Sequence, residues 1–486
     1  MELEKIISYF KQLSAIPRQS GDEKAAGEFL VQFAKEAGLW AVQDAHNNVL
    51  VKKPGTAGRE QEEPFVIQGH LDMVYVVAEE AQHNYENGIQ VLDDGEFLCA
   101  NGTSLGADNG IAISYAMMLM TAKDLSHPPL EFIFTAQEEV GLLGAEHLDV
   151  AELSGKRIMN LDTEEEGTFC SGCAGGVRSV MELPISREMC NGNFYGIDVT
   201  IKGLKGGHSG MEIHLERGNA IQLMGRVIKA VEAYDVRSAS ITAPGKSNAI
   251  SSGAKMKLYV EAEQKDAVIK CLHNMETMFR NELAASDDVE LLVQESGTVS
   301  ACEAFTTETT KKICGILTLM PQGVMKMSMA AKGLVETSIN TGSLEEKDGK
   351  LVLESALRSS VESEKYFVKD KVQMIADIFG ASCEWSGEYP GWQFREESAL
   401  RDIAVKKYEE LFGKEAKVEA IHAGLECGHW AAKIPGADIL SMGPTMHDVH
   451  SPREKVSKQS IAHVWELIKA ILGETMDSEE LHEEAR

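Results

Sequence analysis

Along the first third of the chain, apolar residues recur first at helical and then at strand spacing. Leu3, Ile6, Ile7 and Phe10, followed by Phe29, Leu30 and Phe33, line one face of otherwise polar stretches and predict helices over 2–14 and 23–37. Short β-rich runs come next: Phe65-Val66-Ile67, Phe132-Ile133-Phe134 and 157–161. Between the first two of these, 110–120 is an almost unbroken apolar stretch that reads as a buried helix. Strand, helix and strand in succession predict an α/β sheet with parallel members.

The middle of the chain has a different rhythm. Its pattern predicts strand 195–203, helix 218–234, strand 247–262, helix 266–284, strand 289–296, helix 307–320, strands 334–343 and 350–358, helix 362–379 and strand 381–387. A βαβαβ order followed by an αββαβ order suggests an internally doubled α+β insert. Apolar strand character returns at Ala437 to Met442, and a helix near 457–472 is capped by Ser457. The acidic end, 476–486, is expected to fray.

Composition narrows the partners. The 486 residues carry a net charge of −29, which repels phosphate backbones and anionic membranes, so neither nucleic acid nor a membrane is an expected partner. The length predicts more than one domain. Nine scattered cysteines do not make a disulfide framework, and the acidic start M-E-L-E-K does not resemble a signal peptide. No run of about 18 apolar residues appears, so a reducing, cytoplasmic location is expected.

The candidate chemistry sits where β runs end. The first runs into His70-Leu71-Asp72, the second into Gln137-Glu138-Glu139 and the third into Asp162-Thr163-Glu164. In an open α/β sheet, ligands bind beyond the carboxyl ends of strands, so these groups can converge despite their separation in sequence. Asp108 stands at the entrance to the buried apolar helix, and a late loop carries His447 and His450. Each fragment alone is weak, but the order of all five is specific.

The motifs G-H-L-D-M-V (69–74), A-D-N-G (107–110), Q-E-E-V-G (137–141), N-L-D-T-E-E-E-G (160–167), H-A-G-L-E-C-G (422–428) and H-S-P-R-E (450–454) resemble those of the aminoacyl-histidine dipeptidases. These Xaa-His or cytosol non-specific dipeptidases belong to the clan of co-catalytic dinuclear zinc peptidases and deacylases. The similarity extends over nearly the whole chain. It implies a phosphorylase/hydrolase-like catalytic domain with a mixed sheet, split by an inserted α+β lid. With four implied ligands between 70 and 162 and the fifth at 450, the chain must leave the catalytic domain and return. The expected boundaries are 1–186 and 388–486 for the catalytic domain and 187–387 for the lid.

The resemblance also implies roles. His70 and Asp162 would hold one zinc ion, Glu139 and His450 a second, and Asp108 would bridge them; Co2+ or Mn2+ are possible substitutes. His447 is the competing fifth ligand, set behind His450 because the His-Ser-Pro-Arg-Glu wording matches the family motif. Two zinc ions, three carboxylates and a bridging hydroxide sum to a neutral cluster, which allows water activation near neutral pH. Glu138 would be the general base and acid. Asp72 would support His70 from behind. Relatives carry a cis peptide after the bridging Asp, so one is expected at Asp108-Asn109.

On the substrate side, the resemblance assigns His208, in Gly206-Gly207-His208-Ser209-Gly210, to the reacting carbonyl. It assigns Asn248 and Arg358 to the substrate carboxylate and Gly424 to a backbone contact. Asp, rather than Glu, at position 162 favours a substrate with a free amino terminus. The implied activity is hydrolysis of unblocked dipeptides, including Xaa-His and β-alanyl-histidine. A deacylase or carboxypeptidase of the same clan and a catalytically inactive binding or scaffold protein are the alternatives. Smaller-lid relatives dimerise through the lid and lend a histidine across subunits, whereas a doubled lid could supply it within one chain. A homodimer with His208 acting in trans and a chain with His208 acting in cis therefore both remain open.

Other features read as structural. Cys170 and Cys173 have redox spacing but no second pair, and Gly172, Gly175 and Gly176 suggest a tight turn. Glu164-Glu165-Glu166 reads as a solvated acidic turn, with a substrate ammonium as the other reading. Met325, Met327 and Met329 alternate on one face of an irregular or extended segment, and no Gly-rich stretch ends as a phosphate loop.

Overall fold

The computed structural model describes residues 2–474, so the acidic end read from sequence lies outside the described residues. The described residues form two compact units: 2–173, 392–420 and 425–474 in the first, and 174–391 with 421–424 in the second. The expected cuts at 187 and 387 fall elsewhere. Gly175–Pro184 pairs along its whole length with Lys350–Ser359 and also with Ser382–Tyr389, so backbone hydrogen bonding ties it into the second unit.

In the first unit, an eight-stranded mixed sheet runs in the order Trp40–Gln43, Val49–Lys53, Leu130–Thr135, Phe65–His70, Arg157–Asn160, Asp438–Ser441, Thr168–Cys173 and Lys417–Ile421. The central members Leu130–Thr135, Phe65–His70, Arg157–Asn160 and Asp438–Ser441 are mutually parallel. They are buried on both faces, which explains why their sequences are continuous apolar runs rather than alternating ones. Helix Ala107–Thr121 is buried almost all round, as its apolar composition predicts, and packs on helix Glu2–Ser14. Ser457 caps Lys458–Gly473 by accepting from the Ser460 amide.

The second unit contains two antiparallel sheets. One orders Arg237–Thr242, Ala254–Glu261, Arg187–Lys202 and Glu290–Phe305; the other orders Gly323–Met327, Val335–Lys347, Lys350–Ser359, Gly175–Pro184 and Ser382–Tyr389. Helices Ala220–Val231, Lys265–Glu282, Thr307–Leu319 and Glu362–Phe379 bury their apolar faces in a core shared with both sheets.

One predicted strand is shorter than expected, and a neighbouring strand was not predicted. The run 247–262 is a strand only from Ala254, because Pro244-Gly245 and Ser251-Ser252-Gly253 hold its first part in turns and loop. Arg237–Thr242 is an unpredicted strand paired with Ala254–Glu261. Nor do Cys170 and Cys173 lie in a tight turn: they belong to a fully buried strand that leads directly into Gly175–Pro184. Met325 and Met327 lie on an extended strand and Met329 follows it; all three are exposed.

Candidate active site

Strand ends supply most of the candidate site in the first unit. Phe65–His70 ends on His70 itself, Leu130–Thr135 stops just before Glu138 and Glu139, and Arg157–Asn160 stops just before Asp162. Because these strands are parallel neighbours, their carboxyl ends deliver all four side chains to one edge of the sheet. Gly69 is required beside His70, since a Cβ there would lie 2.3 Å from the Asn109 side-chain oxygen.

Asp108 sits between two histidines. His70 Nε2 is 3.0 Å from Asp108 Oδ1, while His450 Nε2 is 3.1 Å from Asp108 Oδ2. Asp162 lies 3.4 Å from His70 Nε2, and Glu139 lies 2.8 Å from His450 Nε2. Two groups able to hold metal ions therefore share one carboxylate: His70, Asp108 and Asp162, and Asp108, Glu139 and His450. A third group of the same kind joins His70, Glu138 and Glu139. His447 is exposed on the short strand Met446–His447 and stands in none of these groups. The peptide Asp108-Asn109 is cis.

Electrostatics are those of crowded carboxylates. Burial pushes Glu138 well above its usual range; His70 opposes the shift, and Asp162, Glu426 and Glu139 reinforce it. Asp162 is raised to about 6 by burial and by Asp108 and Glu139, against the pull of His70. His450 is raised to about 11 by its hydrogen bonds to Asp108 and Glu139. So much negative charge in little solvent calls for cations, and carboxylate oxygens with imidazole nitrogens are a donor set suited to zinc, cobalt or manganese.

Asp72, fully buried, accepts from the backbone amides of Glu138 at 2.9 Å and Glu139 at 3.2 Å and from Ser20 Oγ at 2.7 Å. Its carboxylate also lies 3.4 Å from His70 Nδ1, which meets the Asp72 backbone carbonyl at 3.1 Å. It thus ties His70 to the segment carrying both glutamates.

Several positioning residues carried no separate sequence signal. Glu454, within the quoted H-S-P-R-E motif, accepts from the amides of Leu105 (2.7 Å), Gly106 (3.0 Å), Ala107 (2.8 Å) and Asp108 (3.4 Å). It caps the helix that begins beside Asp108, where the unpaired amides and the dipole favour an anion. Buried Arg18 donates to the carbonyls of Leu71, Asp72 and Gly106, clamping the same segments. Asn109 donates at 2.7 Å to Asp162. Glu426, raised to about 8 chiefly by burial, accepts from Thr135 Oγ1 at 2.8 Å and from Gln68 Nε2.

The residues expected on the substrate side, His208, Asn248, Arg358 and Gly424, lie in the second unit. His208 Nδ1 accepts from the Met211 amide at 3.1 Å, and the Ser209 amide donates to the Asn248 carbonyl at 2.9 Å. Arg358 donates to the Tyr389 hydroxyl at 3.1 Å, while its Nε is buried without a hydrogen-bond partner among the described residues. A Cβ on Gly210 would sit 3.0 Å from His208 and 3.2 Å from Arg358, and one on Gly424 would sit 2.8 Å from Tyr389. His208, Arg358, Tyr389 and Gly424 thus form one neighbourhood. Glu164 and Glu165 are exposed, and Glu166 is paired with His463 at 2.9 Å.

The sequence profile of peptidase family M20/M25/M40 matches residues 66–474, a span containing every one of these groups except Arg18 and Ser20. The chain belongs to that family. This M20-family peptidase is 36% identical over 468 residues to the cytosol non-specific dipeptidase of Escherichia coli (strain K12), covering 96% of each protein. Its structure resembles that of an aminoacylhistidine dipeptidase from Vibrio alginolyticus, with a TM-score of 0.92, 34% identity and 96% of each chain covered. An aminopeptidase PepT from Bacillus cereus shares the fold at a TM-score of 0.59 and 17% identity, over 97% of this chain and 98% of that one. Among the described residues, no helix is long and apolar enough to cross a membrane.

Proposed function

We propose that this peptidase hydrolyses unblocked dipeptides, including Xaa-His and β-alanyl-histidine substrates, with two zinc ions and Glu138 as general base. The observation that carries the reading is Asp108, whose two oxygens face two separate histidines, each with a second carboxylate beside it. In this reading His70 and Asp162 would hold one ion, Glu139 and His450 would hold the other, and Asp108 would serve both. When bound, the ions supply Lewis acidity toward the scissile carbonyl and a more acidic water.

The chain's own residues do the rest. Glu138, adjacent to a proposed ligand but outside the pair of Asp108-sharing groups, takes a proton from the attacking water and returns it to the leaving amine. Asp72 and Arg18 hold the supporting backbone. In the second unit, the Arg358 guanidinium, with Nε unpartnered, would take the substrate carboxylate as a fork, and Asn248 would bind the same carboxylate end. His208 would face the reacting carbonyl and Gly424 the substrate backbone.

The two close relatives named as dipeptidases support the substrate class, and the Escherichia coli relative's name supports a cytosolic setting. The proposed catalytic and lid roles follow the two units. Glu138→Ala should lower kcat at least ~100-fold while two equivalents of zinc still bind; unchanged hydrolysis removes the mechanism. An acetylated substrate cleaved faster than the free dipeptide would favour a deacylase instead. Mixing His208→Ala with Glu138→Ala subunits separates the two arrangements, because recovered activity requires a homodimer with His208 acting in trans.

A further inference from the structure

The second unit contains a cysteine pair for which the hydrolytic reaction has no use. Strand Arg187–Lys202 pairs antiparallel with Glu290–Phe305, and in that register Cys190 stands directly opposite Cys302. Residues directly opposite on antiparallel strands have Cα atoms about 4.5–5.5 Å apart, inside the range a disulfide spans without backbone movement. The thiols are close enough to influence one another: Cys302 is pushed up by burial and then by Cys190, with Arg237 opposing. Against burial, Arg237, paired with Asp235 at 2.6 Å, is raised by Asp235 and, to a smaller extent, by Cys190. Both cysteines are free thiols in this structure.

The two sulfurs differ in access. Cys302 is 4% exposed, whereas Cys190 is half-buried and its strand neighbours Glu188, Met189 and Asn191 are exposed. An oxidant arriving from solvent therefore meets Cys190 first, with a second thiol held behind it. The pair also sits shortly after the chain passes from Gly175–Pro184 in one sheet to Arg187–Lys202 in the other, and just before the register shift between Asn191 and Phe194. A covalent link there would pin the ladder at a point where its pairing is interrupted.

We propose that Cys190 and Cys302 form a peroxide-responsive modification site that closes to an intrachain disulfide. The Cys190 thiolate attacks one peroxide oxygen; the O–O bond breaks, hydroxide leaves and takes up a proton as water, and Cys190 becomes a sulfenic acid. The Cys302 thiolate then attacks the Cys190 sulfur. The S–O bond breaks, the S–S bond forms and the second oxygen leaves as water, so two thiols and one hydrogen peroxide yield one disulfide and two waters.

The test treats the full-length, metal-loaded protein with hydrogen peroxide at low molar excess, alkylates the remaining thiols under denaturing conditions and maps the peptides by mass. The expected product is a peptide pair joined through Cys190 and Cys302, lighter than the two free peptides by about 2 Da and separated by dithiothreitol. Cys302→Ser should leave Cys190 as a sulfenic acid trapped by dimedone, and Cys190→Ser should leave Cys302 unmodified at the same dose. Oxidation confined to other cysteines, or Cys190 passing to the sulfinic acid in the unsubstituted protein without cross-linking, overturns the proposal. Equal labelling of Cys302 in Cys190→Ser overturns the order of attack.

Discussion

Glu454→Gln isolates what one buried carboxylate does for the candidate metal site. Glu454 is 2% exposed, and its two oxygens accept from the consecutive amides of residues 105–108, three of them at 2.7–3.0 Å. A glutamine has the same shape but only one acceptor end. Its NH2 must face one pair of these amides, donor against donor, whichever way the group turns. Each unsatisfied buried amide costs about 1–3 kcal/mol, so the substitution, which leaves a pair of them, should destabilise the protein by ~2–6 kcal/mol.

The effect should also reach the metals. Glu454 follows His450 by four residues, and its partners include Asp108, so it joins the loop bearing one proposed ligand to the helix start bearing another. His450 and Asp448 have positive φ values of 58° and 52°, a conformation that costs non-glycine residues on the order of 1 kcal/mol and must be maintained by such ties. Loss of a supporting partner typically weakens metal affinity 10–100-fold. Urea unfolding of the metal-free protein would read the first effect and competition with a chromophoric chelator the second. Stability within 0.5 kcal/mol of the starting protein (about half the low end for a single unsatisfied amide), together with zinc affinity within about twofold, would refute the positioning role.

Other predictions concern protons and substrate. His422 is held at about 3 by burial and by Arg358, against about 6.5 when unfolded, and contacts Ser338 Oγ at 2.7 Å. Below pH 6.5 only the unfolded chain takes up that proton, so this histidine's contribution falls by ~3 kcal/mol by pH 4.5. His422→Gln should flatten the acid limb of a denaturation series by that amount; an unchanged limb contradicts the assignment. His450, at about 11, and His70, also raised because its carboxylate partners outweigh burial, both carry protons at pH 7 before metal arrives. Zinc binding should therefore release protons and strengthen with pH; calorimetry in buffers of different ionisation enthalpy showing no release would count against these ligands. Arg358→Lys should raise KM for a dipeptide about 10–100-fold through loss of the fork, with a much smaller effect on a substrate whose carboxylate is amidated. Equal effects on both substrates would remove Arg358 from the carboxylate site.

By itself the sequence determined which groups were available and, for the first unit, where they would stand. Continuous apolar runs ending in His70, Glu138-Glu139 and Asp162 could be read because strands buried on both faces leave a strong local pattern, and side chains just past parallel strands share one edge. The helix at 107–121 was equally legible from its apolar composition. Tertiary structure decided what local pattern does not encode. Strand Arg237–Thr242 exists because Ala254–Glu261 offers it a ladder, and Gly175–Pro184 joins the second unit because its hydrogen-bond partners lie more than 150 residues later in the chain. The clamp of Arg18 and Glu454 around Asp108 was invisible for the same reason. A buried charge is tolerated only where distant backbone groups converge to satisfy it, and that convergence is a property of the folded chain.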